Sequence, residues 1–369
     1  MNADFQRLMT EATRLTHGGD LQAATAAIQA ALAGGASHGG GAMFPDLAGL
    51  VRDRGPVIDV SARVLPEGTP DTPAPAGART QQAPAGERFI AGSHGSGPAG
   101  REFKLYVPPA AGERPLPLVV MLHGCTQNPD DFAAGTAMNE AARAQGFFVL
   151  YPAQSQKANP QRCWNWFKHS HQARGRGEPA LIAAMTREVM ATHAIDPERV
   201  YVAGLSAGGA MAAILGDAYP DLFAAVGVHS GLATGVARDL PSALGAMQSG
   251  PASARHPGKP ASGVATIVFH GDADSTVHPD NAAHLIAASA GAPGRPEEAR
   301  HTAAGGRSYT RRVFRGPREQ VLAEHWLVHG APHAWSGGSG RGSYTDPRGP
   351  DASAEMIRFF LEHPRRASH

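Results

Sequence analysis

Residues 199–209 read R-V-Y-V-A-G-L-S-A-G-G, and this stretch decides the fold predicted for the 369-residue chain. Residues 200–203 are apolar and rich in β-branched side chains, which is typical of a buried parallel strand. The motif G-x-S-x-G follows at once, and residues 210–215 read as a helix. Small residues beside Ser206 permit a sharp turn that exposes its hydroxyl, where the Ala207 amide can face developing negative charge.

Strand and helix patterns alternate through the rest of the chain and predict a mostly parallel sheet with helices on both faces. In such sheets the chemistry lies at the carboxyl ends of the strands. The predicted strands are 88–92, 101–108, 116–122, 147–151, 200–203, 224–228, 264–269, 309–314 and 321–328, the first two antiparallel, and the predicted helices are 133–145, 180–193, 210–215 and 351–361.

The N-terminal part of the chain has a different composition. Residues 1–33 show helical spacing of apolar side chains, broken at a Gly-Gly pair, and predict a small helical appendage. Residues 34–87 are rich in Gly, Pro, Ala and Thr, which is typical of a linker. We therefore expect three regions: a helical segment 1–33, a linker 34–87 and a catalytic domain 88–369.

Composition narrows the function classes. The formal net charge is only +1 and no basic run interleaves with aromatic residues, which argues against a nucleic-acid partner. No apolar stretch approaches the length of a membrane-spanning helix. The only cysteines, Cys125 and Cys163, form either one disulfide or two free thiols, and the count alone does not decide between them.

A serine nucleophile needs a base and usually a carboxylate that orients the base. In the α/β-hydrolase architecture, where G-x-S-x-G joins a strand to a helix, the chain order is Ser, then Asp or Glu, then His. Asp272 and Asp274 both follow the strand that ends at residue 269. We prefer Asp274, because the loop has by then cleared the strand, whereas Asp272 is better placed to cap the turn. The alternative for the motif as a whole is an idle serine in a Gly/Ala-rich turn.

Three histidines compete for the role of base. His333 lies in G-A-P-H-A-W-S-G-G, a loop of small residues after the final predicted strand, from which a side chain can reach back over the strand ends. His329 lies at the end of that strand and reads more simply as structural, and His325 lies in its middle. The sequence therefore favours His333.

Backbone amides would stabilise the oxyanion. The Ala207 amide is one expected donor, and the second should come from the turn after the strand 116–122, where Gly124 lets the chain approach substrate and Cys125 supplies the amide. The remaining strand-end histidines, His123, His229 and His270, lack close metal-ligand spacing, so no metal and no cofactor is expected.

Six motifs occur together and in order, and with them the chain resembles the polyhydroxybutyrate depolymerase family of esterases, relatives of the feruloyl and acetylxylan esterases. They are H-G-C-T-Q at 123–127, C-W-N-W at 163–166, G-L-S-A-G-G at 204–209, H-S-G at 229–231, H-G-D-A-D at 270–274 and H-A-W-S-G-G at 333–338. The resemblance covers roughly residues 88–363.

The resemblance implies an α/β-hydrolase fold and hydrolysis of carboxylic esters through an acyl-enzyme. By position it implies Ser206 as nucleophile, Asp274 as orienting acid and His333 as base. It also implies a Cys125–Cys163 disulfide, worth roughly 2–4 kcal/mol.

Substrate contacts are expected from loops that border the site. The candidates are Trp164, Trp166, Trp335 and His229; the alternative is that some of the tryptophans pack beneath the loops. The expected substrate is a poly(3-hydroxybutyrate)-type polyester or its oligomers, with feruloyl or acetylxylan esters as the alternative. A non-catalytic binding protein of the same fold is the rival class.

The expected compartment is extracellular or periplasmic. A disulfide indicates an oxidising compartment. The first residues, M-N-A-D-F-Q-R, lack the basic start and apolar core of a secretion signal, which leaves the cytoplasm as the alternative.

Overall fold

A ten-stranded sheet forms the centre of the computed structural model, which describes residues 86–95, 100–250, 263–291 and 295–365. The strands are β1 (Arg88–His94), β2 (Arg101–Val107), β3 (Leu116–Leu122), β4 (Phe148–Pro152), β5 (Ile195–Leu205), β6 (Ala225–His229), β7 (Ala265–Gly271), β8 (Glu297–Thr302), β9 (Ser308–Arg315) and β10 (Val321–Val328). Their spatial order is β1-β2-β4-β3-β5-β6-β7-β10-β9-β8.

Six central strands run parallel, and an antiparallel pair closes each edge. Strands β4, β3, β5, β6, β7 and β10 pair in parallel, while β1 and β2 at one edge and β8 and β9 at the other pair antiparallel. Every residue of β3, β4 and β6 is buried, because helices cover both faces of the sheet. The predicted α/β-hydrolase fold class is confirmed.

Seven helices flank the sheet among the described residues. They are α1 (Pro129–Thr136), α2 (Met138–Gln145), α3 (Gly177–Thr192), α4 (Ala207–Ala218), α5 (Leu240–Ser249), α6 (Asp280–Ala290) and α7 (Ala352–Glu362). Helices α3 to α6 contribute to one apolar layer, and α1, α2 and α7 contribute to the other. None of these helices is long and apolar enough to cross a membrane.

The structure differs from the sequence prediction in several elements. The helix predicted over 133–145 is two helices, because Ala137 takes a left-handed conformation (φ 52°) that ends α1 and begins α2. Helix α5 was not predicted, since it buries only the small side chains of Ala243 and Ala246. Strand β8 was not predicted either: all six of its residues are exposed, and an apolar pattern is missing. Helix α6 was also missed.

The predicted N-terminal regions lie almost entirely outside the described residues. This holds for the helical segment 1–33 and for the linker 34–87, of which only residues 86 and 87 are described. The three-region division stays a prediction.

The carboxyl ends of the parallel strands meet along one edge of the sheet. Each of five strands delivers one predicted site residue or its loop to this edge: β3 leads to Cys125, β5 to Ser206, β6 to His229, β7 to Asp274 and β10 to His333. Two short strands, β11 (Trp335–Ser336) and β12 (Thr345–Asp346), follow the last of these loops and pair with each other.

Candidate active site

Ser206 occupies a sharp turn between β5 and α4. Its backbone has φ 57° and ψ −120°, a sparsely populated conformation for a residue with a side chain. The turn fits because Gly204 and Gly208 carry no side chain: a Cβ on Gly208 would lie 2.0 Å from the Leu122 carbonyl oxygen. The Ser206 amide donates to the His229 carbonyl at 2.9 Å. The sequence G-x-S-x-G thus forms the strained elbow that its residue types predict.

Asp274 and His333, from neighbouring strand ends, are joined by a hydrogen bond. His333 Nδ1 lies 2.7 Å from Asp274 Oδ2, and the Asp274 side chain is fully buried. The other carboxylate oxygen accepts from the amides of Thr276 at 2.9 Å and Val277 at 2.8 Å. Burial opposes ionisation, but the hydrogen bonds from His333 and from the Val277 amide outweigh it and hold the pKa of Asp274 below its usual range.

An ionised Asp274 fixes the tautomer of His333. A carboxylate only accepts hydrogen bonds, so His333 Nδ1 carries a proton, and the lone pair of the neutral tautomer is on Nε2. No hydrogen bond engages Nε2 within the described parts of the chain. The imidazole is therefore ready to accept a proton at Nε2.

His270 supports the Asp274 loop from below. Its ring is fully buried, with Nε2 2.8 Å from the Val277 carbonyl and 3.5 Å from Asp274 Oδ2. Burial lowers the pKa of His270, so the ring is neutral. It ties residue 277 to the strand end and thereby holds the turn that presents Asp274.

The loop of residues 123–128, called the Cys125 loop below, packs beside Ser206. A Cβ on Gly124 would lie 3.1 Å from Gln127 Oε1 and 3.7 Å from the Ser206 Cβ, so the loop passes within van der Waals distance of the serine. The Gly124 amide donates to Gln127 Oε1 at 2.9 Å, and the Thr126 amide to the Gln161 carbonyl at 2.7 Å. Among the described residues, no acceptor forms a hydrogen bond with the amide of Cys125 or with that of Ala207.

The Cys125 loop is held from behind by several fixed contacts. The predicted disulfide joins Cys125 to Cys163 and is confirmed. Trp164 Nε1 donates to the His123 carbonyl at 3.1 Å, and the Gln154 amide donates to His123 Nε2 at 3.1 Å. Burial is the main cause that lowers the pKa of His123 to about 4, so its ring stays neutral and keeps this acceptor.

A buried carboxylate anchors the loop that carries Cys163. Glu178 accepts from the Asn165 amide at 2.7 Å, from Asn165 Nδ2 at 2.6 Å and from Gln154 Nε2 at 2.6 Å. Burial opposes its ionisation, but these hydrogen bonds, together with that of His171, hold the pKa of Glu178 below its usual range. Glu178 was not predicted as a site residue, although an acidic residue in the first turn of a helix is a recognisable signal.

A second polar network ties the Cys125 loop to residues near β12. Gln127 Nε2 donates to Asp131 Oδ2 at 2.8 Å and to the Ser343 carbonyl at 3.2 Å. Ser343 in turn donates to Asp131 from its amide at 2.9 Å and from its hydroxyl at 2.6 Å. Because Gln127 also holds the Gly124 amide, the network fixes the loop beside Ser206 in one conformation.

His229 joins the Ser206 elbow to the segment after His333. Its carbonyl accepts from the Ser206 amide, and its ring Nε2 accepts from the Ser336 amide at 2.9 Å. The ring is 1 % exposed, and burial lowers the pKa of His229 to about 3. We predicted substrate contact for His229; its contacts are those of a residue that positions two loops.

The three predicted substrate-binding tryptophans are buried. Trp164 is 0 % exposed, Trp166 5 % and Trp335 1 %. Trp335 Nε1 donates to Ser353 Oγ at 3.1 Å, and its ring stacks on His229 with centroids 5.2 Å apart. These side chains pack beneath the loops, which is the alternative that the sequence left open, and their contact with substrate stays a prediction.

The rival residues Asp272 and His329 form a pair of their own. His329 Nδ1 lies 2.8 Å from Asp272 Oδ2, and the Gly330 amide donates to Asp272 Oδ1 at 2.6 Å. His329 Nε2 lies 2.9 Å from Thr310 Oγ1, so both ring nitrogens are engaged. His325, the third histidine considered, is buried in the middle of β10.

No group of three or more His, Cys, Asp or Glu side chains within the described residues could hold a metal ion. The groups at this edge of the sheet are a strained serine, an imidazole hydrogen-bonded to a carboxylate, and two backbone amides without a partner among the described residues.

Comparisons with known proteins show the family of the chain. A family model described as Esterase PHB depolymerase matches residues 101–294, a span that includes Ser206 and Asp274. Poly(3-hydroxyalkanoate) depolymerase C of Paucimonas lemoignei is 36 % identical over 180 residues, which are 45 % of this chain and 42 % of that protein. Feruloyl esterase B of Thermothelomyces thermophilus is 34 % identical over 150 residues, 40 % of this chain and 50 % of that protein.

The chain spans about half the length of these curated relatives. Among solved structures, an acetyl xylan esterase from Aspergillus awamori matches with a TM-score of 0.58 and 20 % identity, over 74 % of this chain and 99 % of that chain. This likeness supports the fold. The family model covers more than half of the 369 residues, and the chain therefore belongs to the Esterase PHB depolymerase family.

Proposed function

We propose that this protein hydrolyses carboxylic esters with Ser206 as nucleophile, His333 as general base and Asp274 as the acid that orients the base. The observation that carries the proposal is the Asp274–His333 pair, with its free Nε2, at the same sheet edge as the strained Ser206 elbow. The amides of Cys125 and Ala207, which have no partner among the described residues, would donate hydrogen bonds to the oxyanion at that edge.

The reaction follows from these groups. His333 Nε2 takes the Ser206 proton as the serine oxygen bonds to the ester carbonyl carbon. The carbonyl oxygen gains negative charge and accepts hydrogen bonds from the Cys125 and Ala207 amides. The imidazolium then gives its proton to the leaving alcohol as the C–O bond breaks, and an acyl-enzyme remains. Water attacks this ester with the same base, so that the acid and free Ser206 are released.

The structure is suited to keeping the oxyanion donors in place. A backbone amide must point at the oxyanion before the charge develops, since moving it during the reaction would raise the barrier. The Cys125 loop is tied by a disulfide, by Gln127 and by Trp164. We infer that rigidity of this loop is the contribution of the disulfide to the activity.

Hydroxyalkanoate polyester, or its oligomers, is the proposed substrate. The support is the family and the likeness to the Paucimonas lemoignei depolymerase. The second candidate is a feruloyl or acetyl ester of a polysaccharide, favoured by the similar identity to the feruloyl esterase. An exported location is proposed with both, because the disulfide needs an oxidising compartment.

Turnover of p-nitrophenyl butyrate by the wild type and by Ser206→Ala tests the mechanism. We expect hydrolysis by the wild type and at least about 10³-fold less by the variant. Equal rates would contradict the proposal. Loss of turbidity in suspensions of amorphous polyhydroxybutyrate, measured beside acid release from methyl ferulate, distinguishes the two substrate classes.

A further inference from the structure

Tyr344 is a half-exposed aromatic residue that the mechanism above does not use. Its side chain is 47 % exposed, and its backbone φ of 52° lies in the left-handed region, which disfavours a bulky residue. Anchors on both sides hold it there: Ser343 is bonded to Asp131, and Thr345 pairs with Trp335 between β12 and β11. The chain tolerates backbone strain to present this ring, and such strain concentrates at functional sites.

Tyr344 connects the two loops on which the proposed chemistry depends. Its carbonyl accepts from the Trp335 amide at 2.7 Å, and Trp335 lies two residues after His333. Its hydroxyl lies 3.1 Å from Thr126 Oγ1, and Thr126 directly follows Cys125. The ring therefore extends from the strand after His333 to the Cys125 loop.

The direction of the Tyr344 hydrogen bond follows from the neighbouring contact. Thr126 Oγ1 donates its only proton to the Cys125 carbonyl at 2.6 Å. The Tyr344 hydroxyl must then donate to Thr126. Hydrogen bonds therefore hold Tyr344 at its carbonyl and at its hydroxyl, while the ring between these groups is partly exposed to solvent.

We propose that Tyr344 is a specificity-determining residue whose ring forms one wall of the active site and packs against an apolar or planar group of the ester. A ring fixed at both ends contacts a ligand with little loss of conformational entropy, and its exposed face gains from being removed from water. The inference deepens the proposed function and rests on it.

The alternative is that Tyr344 only ties the two loops together through its hydroxyl. Tyr344→Phe removes the hydroxyl and keeps the ring, and Thr126→Val removes the acceptor and keeps the size of the side chain. Tyr344→Ala removes the ring. If Tyr344 forms a wall of the site, its effect depends on the ring. If it only links the two loops, its effect depends on the hydroxyl, so the three variants distinguish the two roles.

Two pairs of ester substrates test whether the Tyr344 ring forms a wall of the active site. The first compares p-nitrophenyl acetate with p-nitrophenyl hexanoate, which differ on the acyl side, and the second compares methyl butyrate with p-nitrophenyl butyrate, which differ on the alcohol side. We expect Tyr344→Ala to raise KM for the larger ester of at least one pair by about 5- to 20-fold, while kcat and KM for the smaller ester change less than about 3-fold. Tyr344→Phe and Thr126→Val should keep the wild-type preference.

Three outcomes overturn the inference. Unchanged ester preference in Tyr344→Ala shows that the ring is no wall. A uniform fall of kcat for all substrates, or loss of the preference in Tyr344→Phe and Thr126→Val as well, shows that the residue is a tie. Thermal unfolding of each variant accompanies the kinetics. Absence of any ester turnover by the wild type would instead refute the proposed function, and this inference with it.

Discussion

Two Asp–His pairs lie side by side in this protein, and only one of them has the form of a general base. Asp274–His333 and Asp272–His329 bridge the same two strand ends, with sequence separations of 59 and 57 residues and Nδ1-to-carboxylate distances of 2.7 and 2.8 Å. Their outer nitrogens differ. His329 Nε2 lies in contact with the Thr310 hydroxyl, whereas His333 Nε2 is left without a partner among the described residues.

Burial of the carboxylates also separates the pairs. The Asp274 side chain is fully buried, while that of Asp272 is 38 % exposed. The second carboxylate oxygen of Asp272 accepts a hydrogen bond from the Gly330 amide, at the start of the loop that leads to His333. The two pairs thus share the hydrogen bond between imidazole and carboxylate, and they differ in whether the second ring nitrogen has a partner among the described residues.

The largest expected difference between the pairs concerns the histidines. His333→Gln should reduce kcat by at least about 10⁴-fold, because the proton acceptor for Ser206 is lost. His329→Gln, the matched control, should keep kcat within about 5-fold. Stopped or continuous assays with p-nitrophenyl butyrate measure both. Comparable losses in the two variants would show that the pairs are not functionally distinct.

Substitution of Asp274 should likewise lower kcat far more than substitution of Asp272. Asp274→Asn should lower kcat by about 10³- to 10⁴-fold, since an amide can donate to Nδ1 and stabilise the wrong tautomer of His333. Asp272→Asn should leave kcat within about 5-fold and lower the free energy of unfolding by about 1 kcal/mol, a modest value because the side chain is partly exposed. Kinetics and urea unfolding of both variants check this, and a larger activity loss in Asp272→Asn would contradict it.

The sequence predicted the Asp274–His333 pair but could not predict the Asp272–His329 pair. The order Ser206, Asp274, His333 follows from strand ends and loop composition, both of which can be read along the chain. That Asp272 and His329 pair with each other depends on the lateral spacing of β7 and β10, which is set by tertiary packing. The same limit explains why two alternatives stayed open for Trp164 and Trp335, contact with substrate or packing beneath the loops. A loop position does not reveal which way a large side chain packs.

Other elements depended on signals that the sequence carries weakly. Helix α5 buries alanines and exposes Leu240 and Leu244, so its pattern is the reverse of an ordinary amphipathic helix. Tyr344 stands in a Gly- and Ser-rich run with no strand or motif to mark it, and only its backbone conformation and contacts single it out. The buried strand β3, in contrast, was predicted closely, because it is a continuous apolar run.

The pH dependence of stability tests the contribution of the Asp272–His329 pair to the free energy of unfolding. Burial raises the pKa of Asp272, but the hydrogen bonds from His329 and Gly330 outweigh it and lower the pKa below the usual range. The folded pKa lies below the unfolded one, so the stabilisation is present above the unfolded value and is lost as pH falls through the folded value. The stability difference between wild type and Asp272→Asn, measured by urea unfolding, should be largest near pH 6 and shrink below about pH 4. A difference that grows on acidification would refute this.

His325, in the middle of β10, should change stability in the same direction, with a loss as pH falls. Burial, then the charge of Arg312 and the proximity of His270, lower the pKa of His325 to about 3. Below about pH 6.5 the unfolded chain takes up a proton that the folded protein does not, which lowers stability by up to about 1.4 kcal/mol per pH unit. Urea unfolding between pH 6.5 and pH 4 should therefore show a shallower loss in His325→Leu than in the wild type. Parallel curves would contradict the expectation.

The most direct test of the central claim is the site and rate of covalent labelling by a p-nitrophenyl phosphonate. Peptide mass spectrometry should find one adduct, on Ser206, formed at similar rates in the wild type and in His329→Gln, and at least about 10³-fold more slowly in His333→Gln. An adduct on another residue, or equally fast labelling of Ser206 in His333→Gln, would show that the Asp274–His333 pair does not activate this serine.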